Sequence, residues 1–190
     1  MINIPGTIYR APLLIMKHNT QLTHADHRPS GIKFPLCILA NDLNSPANVG
    51  SLFRICDALG IEKLYLCGST IIPPNKKINK TSRSTEKVVD FEYSTDAEAL
   101  VSKLKISDYF IITLEITSSS VAINSDEYDD AIANKKPVCL ILGSESSGVD
   151  EKLLSLSDIV IHIPMHGKNS SMNVISATSI ACFEIIKNLY

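Results

Sequence analysis

The side chains that could carry chemistry gather in three short polar stretches, each following an apolar run. In the last of them, Ile159, Val160, Ile161 and Ile163 form a β-branched run that stops at Pro164. Proline cannot donate to a sheet ladder, so it marks a strand's exit. A polar loop with Gly167, Asn169, Ser170 and Ser171 follows, then a helical pattern over residues 172–189. A loop joining a strand's carboxyl end to a helix's amino end is where open α/β sheets place ligands. Free backbone N–H groups at such a helix start can receive a polar group. The middle stretch, Gly143-Ser144-Glu145-Ser146-Ser147-Gly148-Val149, leaves an apolar run over residues 137–142. Glu145 is the one charged side chain there, and Gly143 and Gly148 let backbone approach a ligand closely. A Glu145 that merely caps the helix starting near Val149 accounts for the same pattern equally well. The first stretch spans residues 41–50 and ends in Asn48-Val49-Gly50, with Arg54 about one turn into the next helix. Taken singly, Asn48 and Gly50 read as a helix cap and a turn, and Arg54 as a solvated helix arginine.

The elements that must position these groups follow from periodicity. Continuous or near-continuous apolar segments predict buried strands over 36–40, 61–67, 137–142 and 159–163, with further strands over 88–93 and 109–114. Helical spacing covers 51–59, closed by Gly60, and 95–105, opened by Ser94 or Thr95. Residues 126–134 read as a short acidic helix or turn. Strands alternating with helices give an α/β fold with a largely parallel sheet. A length of 190 residues suits one domain, here 36–190. Residues 1–35 read as an extension with little regular structure.

Composition excludes several classes. Hydrophobic residues make up 45% and charged residues 20%, as in an ordinary soluble domain. No apolar run approaches the roughly 20 residues that span a bilayer, and the N-terminus lacks the pattern of a signal peptide. The five cysteines are odd in number, lack a Cys-x-x-Cys pair and sit in apolar segments. They read as reduced, buried thiols of a cytoplasmic protein. The five histidines show no zinc-ligand spacing, so no metal is expected. Neither Gly-x-Gly-x-x-Gly nor Gly-x-x-x-x-Gly-Lys occurs, which disfavours a nucleotide bound as in those folds. A net charge of −2 gives no global pull toward nucleic acid. Any positive surface must be local. Lys76, Lys77, Lys80, Arg83 and Lys87 stand against the single anion Glu86, just past a strand exit on the edge of the polar loops. Phosphate contact is the functional reading of this run, and a solvated face the plain one.

Together, Asn48-x-Gly50-x-x-x-Arg54, Leu142-Gly143-x-Glu145-x-x-Gly148 and Ile163-Pro164-Met165-x-Gly167-x-x-x-Ser171-Met172-Asn173-Val174-x-x-Ala177 resemble a known set. In order and separation they are similar to the three motifs of the SpoU family, the TrmH-like branch of SPOUT RNA methyltransferases. The likeness runs from about residue 36 to the C-terminus. It implies an α/β knot whose C-terminal segment threads a deep trefoil, an exception to the rule against knots. It further implies a homodimer that binds S-adenosylmethionine in the knot and methylates a ribose 2′-hydroxyl in tRNA or rRNA. Asn48, Arg54, Glu145, Ser171 and Asn173 match the family's polar positions and would form the catalytic set. Gly143, Ile163 and Met172 match its cofactor positions, with Met165 beside them and Leu114 and Leu142 completing the set. Met172 replaces a usual Leu, Ile175 stands in a Val-Ser-x-Ala region, and Leu52-Phe53 replace smaller residues. None of these removes a polar group. The resemblance makes Arg54 the residue that assists loss of the hydroxyl proton. Because arginine stays charged, it would position the 2′-oxygen and stabilise the alkoxide. The rivals are a catalytically silent RNA-binding protein on this fold, and base methylation by another SPOUT branch.

Overall fold

Apolar residues run without interruption through the central strands, and they are covered on both faces. The computed structural model describes residues 21, 23–26, 28–135 and 137–189. Its strands are β1 (Phe34–Asn41), β2 (Ile61–Cys67), β3 (Phe91–Ser94), β4 (Phe110–Leu114), β5 (Val121–Ala122), β6 (Val138–Leu142) and β7 (Ile159–His162). They form one sheet in the order β3-β2-β1-β6-β4-β7-β5, and every pairing is parallel. The helices are α1 (Pro46–Leu59), α2 (Lys76–Ser82), α3 (Ala97–Ile106), α4 (Asp126–Ile132), α5 (Glu151–Leu156) and α6 (Val174–Leu189).

Alternation along β1 sorts the core into two layers. Leu36, Ile38 and Ala40 share a cluster with Val49, Leu52, Phe53 and Cys56 of α1 and Ala181, Cys182 and Ile185 of α6. Cys37 and Leu39 share the opposite one with Leu100, Val101 and Leu104 of α3 and Leu153 of α5. The result is an α/β three-layer fold. Because the strands run parallel, β1, β6, β4 and β7, neighbours in the sheet, all end on one edge. That edge is where the polar loops must lie.

Three local expectations change. The breaker-rich segment 41–50 is not all turn: α1 starts at Pro46, with Ser45 as its cap, so Asn48 and Gly50 are already helical. Proline is pre-shaped for a first helical position. Gly50 is needed for another reason, since an added Cβ would meet Ile78 O and Thr81 Cβ at 2.8 Å, where α2 crosses α1. The basic run, legible in sequence only as a charged segment past a strand exit, is partly helical. Asn75 Oδ1 accepts from the N–H groups of Lys77 and Ile78, and the buried Ile78 pins α2 down. Asp96, not Ser94 or Thr95, caps α3.

The chain divides into two units at Gly31–Ile32, so residues 32–35 belong to the larger one. Residues 1–20 of the expected extension lie outside the described residues. In the smaller unit, Asp26 Oδ2 accepts from the N–H and hydroxyl of Thr23 at 2.8 and 2.7 Å. Among the described residues, no helix is long and apolar enough to cross a membrane.

All five thiols are buried. Burial pushes the Cys56 and Cys67 thiols up to about 12 from the ordinary 9.0. Only the thiolate is nucleophilic, so a thiol reagent at about pH 8 should leave the native protein untouched and react fully after denaturation. The native state holds these protons to higher pH than the unfolded chain. Their contribution to stability is therefore complete below about pH 9 and is lost as pH climbs toward 12. Fast labelling of the native protein would show that these thiols reach solvent.

Candidate functional site

The exits of β4, β6 and β7 converge on a cavity of about 320 Å³. Its wall contains Glu145, Ser171 and Asn173 from the expected catalytic set. Leu114, Gly143, Ile163, Met165 and Met172 from the expected cofactor set are there too. Leu142 is not: its side chain is fully buried in the sheet. Asn48 stands just outside but is tied in, since its Nδ2 donates to Glu145 Oε1 at 2.8 Å. The backbone N–H of Asn44 donates to Glu145 Oε2 at 3.3 Å. Glu145 thus joins the first turn of α1 to the loop after β6. It does not cap the next helix, because Asp150 does, accepting from the N–H groups of Lys152 and Leu153 at 3.0 Å each.

The 143–149 loop is held by a two-residue exchange. Ser144 N–H donates to Gly148 O and Gly148 N–H to Ser144 O, both at 3.0 Å. This folds the loop so tightly that a Cβ on Gly143 would fall 2.3 Å from the Gly148 carbonyl carbon. Asn173 caps α6: its Oδ1 accepts from the N–H groups of Ile175 at 2.9 Å and Ser176 at 3.4 Å. The carbonyl side of the amide is thereby occupied and Nδ2 remains available. Ser171 makes no hydrogen bond among the described residues.

Arg54 is placed apart from this cavity. It lies six residues beyond Asn48, which at about 100° per residue turns it roughly 240° round α1 and carries it about 9 Å along the axis. It lines a separate groove of about 780 Å³ between α1 and α6, with Ile55, Ile180 and Phe183. Arg54 is exposed and has no hydrogen bond or ion pair among the described residues. Ile180 and Phe183 are 45% and 62% exposed. Lys76, Lys77, Lys80, Arg83 and Lys87 are all exposed, on α2 and the short turn after it.

Sequence reasoning missed Glu115 and His162, both in the cavity wall. Glu115 follows the last residue of β4. The argument that singled out Glu145, an acid at a strand exit on this edge, applies to it equally. His162 Nδ1 lies 3.0 Å from Ser120 Oγ. That hydroxyl also accepts from Thr117 N–H at 3.0 Å and lies 3.0 Å from Thr117 O. Among the described residues, no group of three or more His, Cys, Asp or Glu is arranged to hold a metal ion.

The 23S rRNA (guanosine-2'-O-)-methyltransferase RlmB of Blochmanniella floridana is 26% identical over 153 residues, covering 80% of this chain and 58% of that protein. The chain thus spans less than two thirds of that relative's length. The tRNA (guanosine(18)-2'-O)-methyltransferase of Thermus thermophilus is 28% identical over 149 residues, covering 78% and 73%. Among solved structures, an AdoMet-bound rRNA methyltransferase from Sinorhizobium meliloti matches with a TM-score of 0.73 at 22% identity, over 82% of this chain and 57% of that one. The A. aeolicus TrmH/SpoU tRNA modifying enzyme matches at 0.69 and 24% identity, over 82% and 76%. At such identities these structures speak for the fold alone. The profile of the SpoU rRNA Methylase family matches residues 35–183, which include all three polar loops. The chain therefore belongs to the SpoU rRNA Methylase family.

Proposed function

We propose that this chain methylates the 2′-hydroxyl of a ribose in tRNA or rRNA with S-adenosylmethionine, as a homodimer with a knotted C-terminal segment. The observation that carries the reading is one cavity at the sheet edge shared by Glu145, Ser171, Asn173, Gly143, Ile163, Met165 and Met172. Family membership and the relatives' ribose methyltransferase names support the same reaction class.

The residues present fit S-adenosylmethionine. The cavity volume lies at the small end of ligand pockets, roughly 300–1,000 Å³. Leu114, Ile116, Ile163, Met165, Met172 and Ala177 give an apolar wall suited to an adenine ring. Glu115 and Glu145 bring two carboxylates to a molecule that carries sulfonium and ammonium charge. When bound, that molecule supplies an electrophilic methyl group. The chain must bring the ribose oxygen into line and ease the loss of its proton. Arg54 holds the 2′-oxygen and the neighbouring phosphate with its forked N–H donors and stabilises charge growing on that oxygen. Asn48 fixes Glu145. Ser171 Oγ and Asn173 Nδ2 are the free groups left to hold the ribose.

Since Arg54 faces away from its own chain's cavity, we assign it to the cavity of a partner copy. Exposed Ile180 and Phe183 beside it supply apolar surface for that pairing. The basic residues of α2 and its following turn take the RNA backbone. Replacing Lys76 and Lys80 by Ala should flatten the log–log salt dependence of RNA binding by about one unit per lysine. An unchanged slope would move the RNA contact elsewhere.

The decisive experiment incubates the protein with S-adenosylmethionine and total tRNA and rRNA, then digests to nucleosides for mass spectrometry. A new 2′-O-methylnucleoside is expected. A methylated base, or no methyl at all, would overturn the reading. RNA binding without S-adenosylmethionine binding in calorimetry would identify a catalytically silent protein.

A further inference from the structure

Beyond its charge in the cavity wall, Glu115 makes a set of backbone contacts. Its backbone N–H donates to Ile161 O at 3.0 Å, which anchors it to β7. Oε1 accepts from Ile116 N–H at 2.9 Å, which fixes the carboxylate against its own backbone. Oε2 accepts from Val149 N–H at 3.0 Å, across 34 residues of sequence. The same oxygen sits 2.4 Å from where a Cβ on Gly148 would be, and Gly148 has φ +68°. Gly148 in turn lies on Gly143 and exchanges both hydrogen bonds with Ser144. Glu115, Gly148 and Gly143 are thus three layers of one stack, and the cavity wall includes all three. Beyond the stack the loop is open to solvent: Glu145, Ser146 and Ser147 are exposed.

We infer that Glu115 is a positioning residue: it clamps the 143–149 loop to the end of β4 and so preforms the wall that receives the cofactor. The inference rests on the reading that this cavity takes S-adenosylmethionine. The chemistry is that of a carboxylate accepting two backbone N–H groups, which are charge-assisted and stronger than neutral pairs. Release of Val149 would free Gly148, and Gly148 carries Ser144 and Gly143 with it. A wall that is not preformed must be ordered on binding, which weakens affinity by about tenfold. Glutamine is not a full substitute. Its amide offers one acceptor oxygen where the carboxylate serves two donors.

The test uses the full chain with Glu115→Ala, Glu115→Gln and Glu115→Asp. Three quantities are read: amide hydrogen exchange at residues 143–149 without ligand, calorimetric affinity for S-adenosylmethionine, and the KM for RNA. In Glu115→Ala the Gly148 and Val149 amides should exchange at least about tenfold faster, and affinity for S-adenosylmethionine should fall about tenfold. The KM for RNA should move less than about threefold, because the RNA-facing groups lie elsewhere. Glu115→Gln should fall between wild type and Ala, and it serves as the test if the Ala variant does not fold. Glu115→Asp, one methylene shorter, should lose the Val149 contact and match Ala in loop exchange. A Gly148→Ala substitution should weaken affinity less in the Glu115→Ala background than in wild type, because the oxygen it strikes is gone. Unchanged exchange and affinity in Glu115→Ala would overturn the clamp. So would a lowered Tm with both of them unchanged, which marks a purely structural contact. If wild type binds no S-adenosylmethionine, the reading of the cavity fails, while loop exchange still decides the clamp.

Discussion

Replacing Arg54 by Ala is expected to lower methyl transfer at least about a hundredfold while leaving the affinity for S-adenosylmethionine within about threefold of wild type. The two halves of this outcome come from different observations. Arg54 is absent from the wall of its own chain's cavity, and in the partner's cavity it is assigned to the ribose oxygen and phosphate, so no group proposed to hold the cofactor is removed. It is also exposed and without an ion pair among the described residues, so no buried partner is orphaned and stability should change by less than about 0.5 kcal/mol. The loss of rate then measures the charge removed from the developing alkoxide. Arg54→Lys should recover little, because a point charge cannot grip the 2′-oxygen and a phosphate at once. A rate near wild type in Arg54→Ala would remove Arg54 from the reaction.

The position of Arg54 sharpens this into a test of where the arginine acts. Mix Arg54→Ala with Asn173→Ala and allow subunits to exchange. If Arg54 serves the partner's cavity, half of the dimers are mixed and each has one intact composite site, so about a quarter of wild-type activity returns. If it serves its own chain's cavity, both subunits of every mixed dimer are defective and nothing returns. Phe183→Glu should abolish activity in the same framework by placing a charge on the pairing face, and ultracentrifugation should then find a monomer.

How far the sequence reveals these relations depends on the range of the interaction. The parallel sheet was legible because strands buried on both faces need unbroken apolar runs, and residues 36–40 and 138–142 supply them. The gathering of three loops on one edge follows from parallel pairing alone. What failed was local competition and long-range contact. Asn48 read as the helix cap itself because the breakers around it outnumber the one signal for an earlier helix start, Pro46 after Ser45. Glu145 read equally well as a cap, but Asp150 stands closer to the first turn of α5 and takes that role, which frees Glu145 to reach Asn48, 97 residues away. Spacing holds no trace of that pairing, nor of the one between Glu115 and Val149. Leu142 matched a family position, yet the inward side of β6 claims its side chain. The two-residue β5 is too short to leave a periodic pattern.

Gly143→Ala is the second large effect, and here the expected loss is of the cofactor. The added Cβ would fall 2.3 Å from the Gly148 carbonyl carbon, 2.4 Å from its oxygen and 2.4 Å from the Val149 nitrogen. All three are backbone atoms of a loop closed by its own pair of hydrogen bonds, so no flexible side chain can swing aside. The loop must open, which breaks the Ser144–Gly148 exchange and carries Glu145 away from Asn48. Overpacking of this kind costs about 1–3 kcal/mol of stability, and that loss should appear as a lowered Tm. Affinity for S-adenosylmethionine should fall further than stability alone explains, by about tenfold or more, because the displaced wall must be re-formed on binding. Gly167→Ala is the matched control for stability. A Cβ there meets nothing within 4 Å and Gly167 needs no left-handed backbone, so its Tm should stay at the wild-type value. A Gly143→Ala protein with wild-type Tm and cofactor affinity would mean that the 143–149 loop is far softer than its hydrogen bonds imply. The cavity would then owe its shape to the 163–173 loop instead.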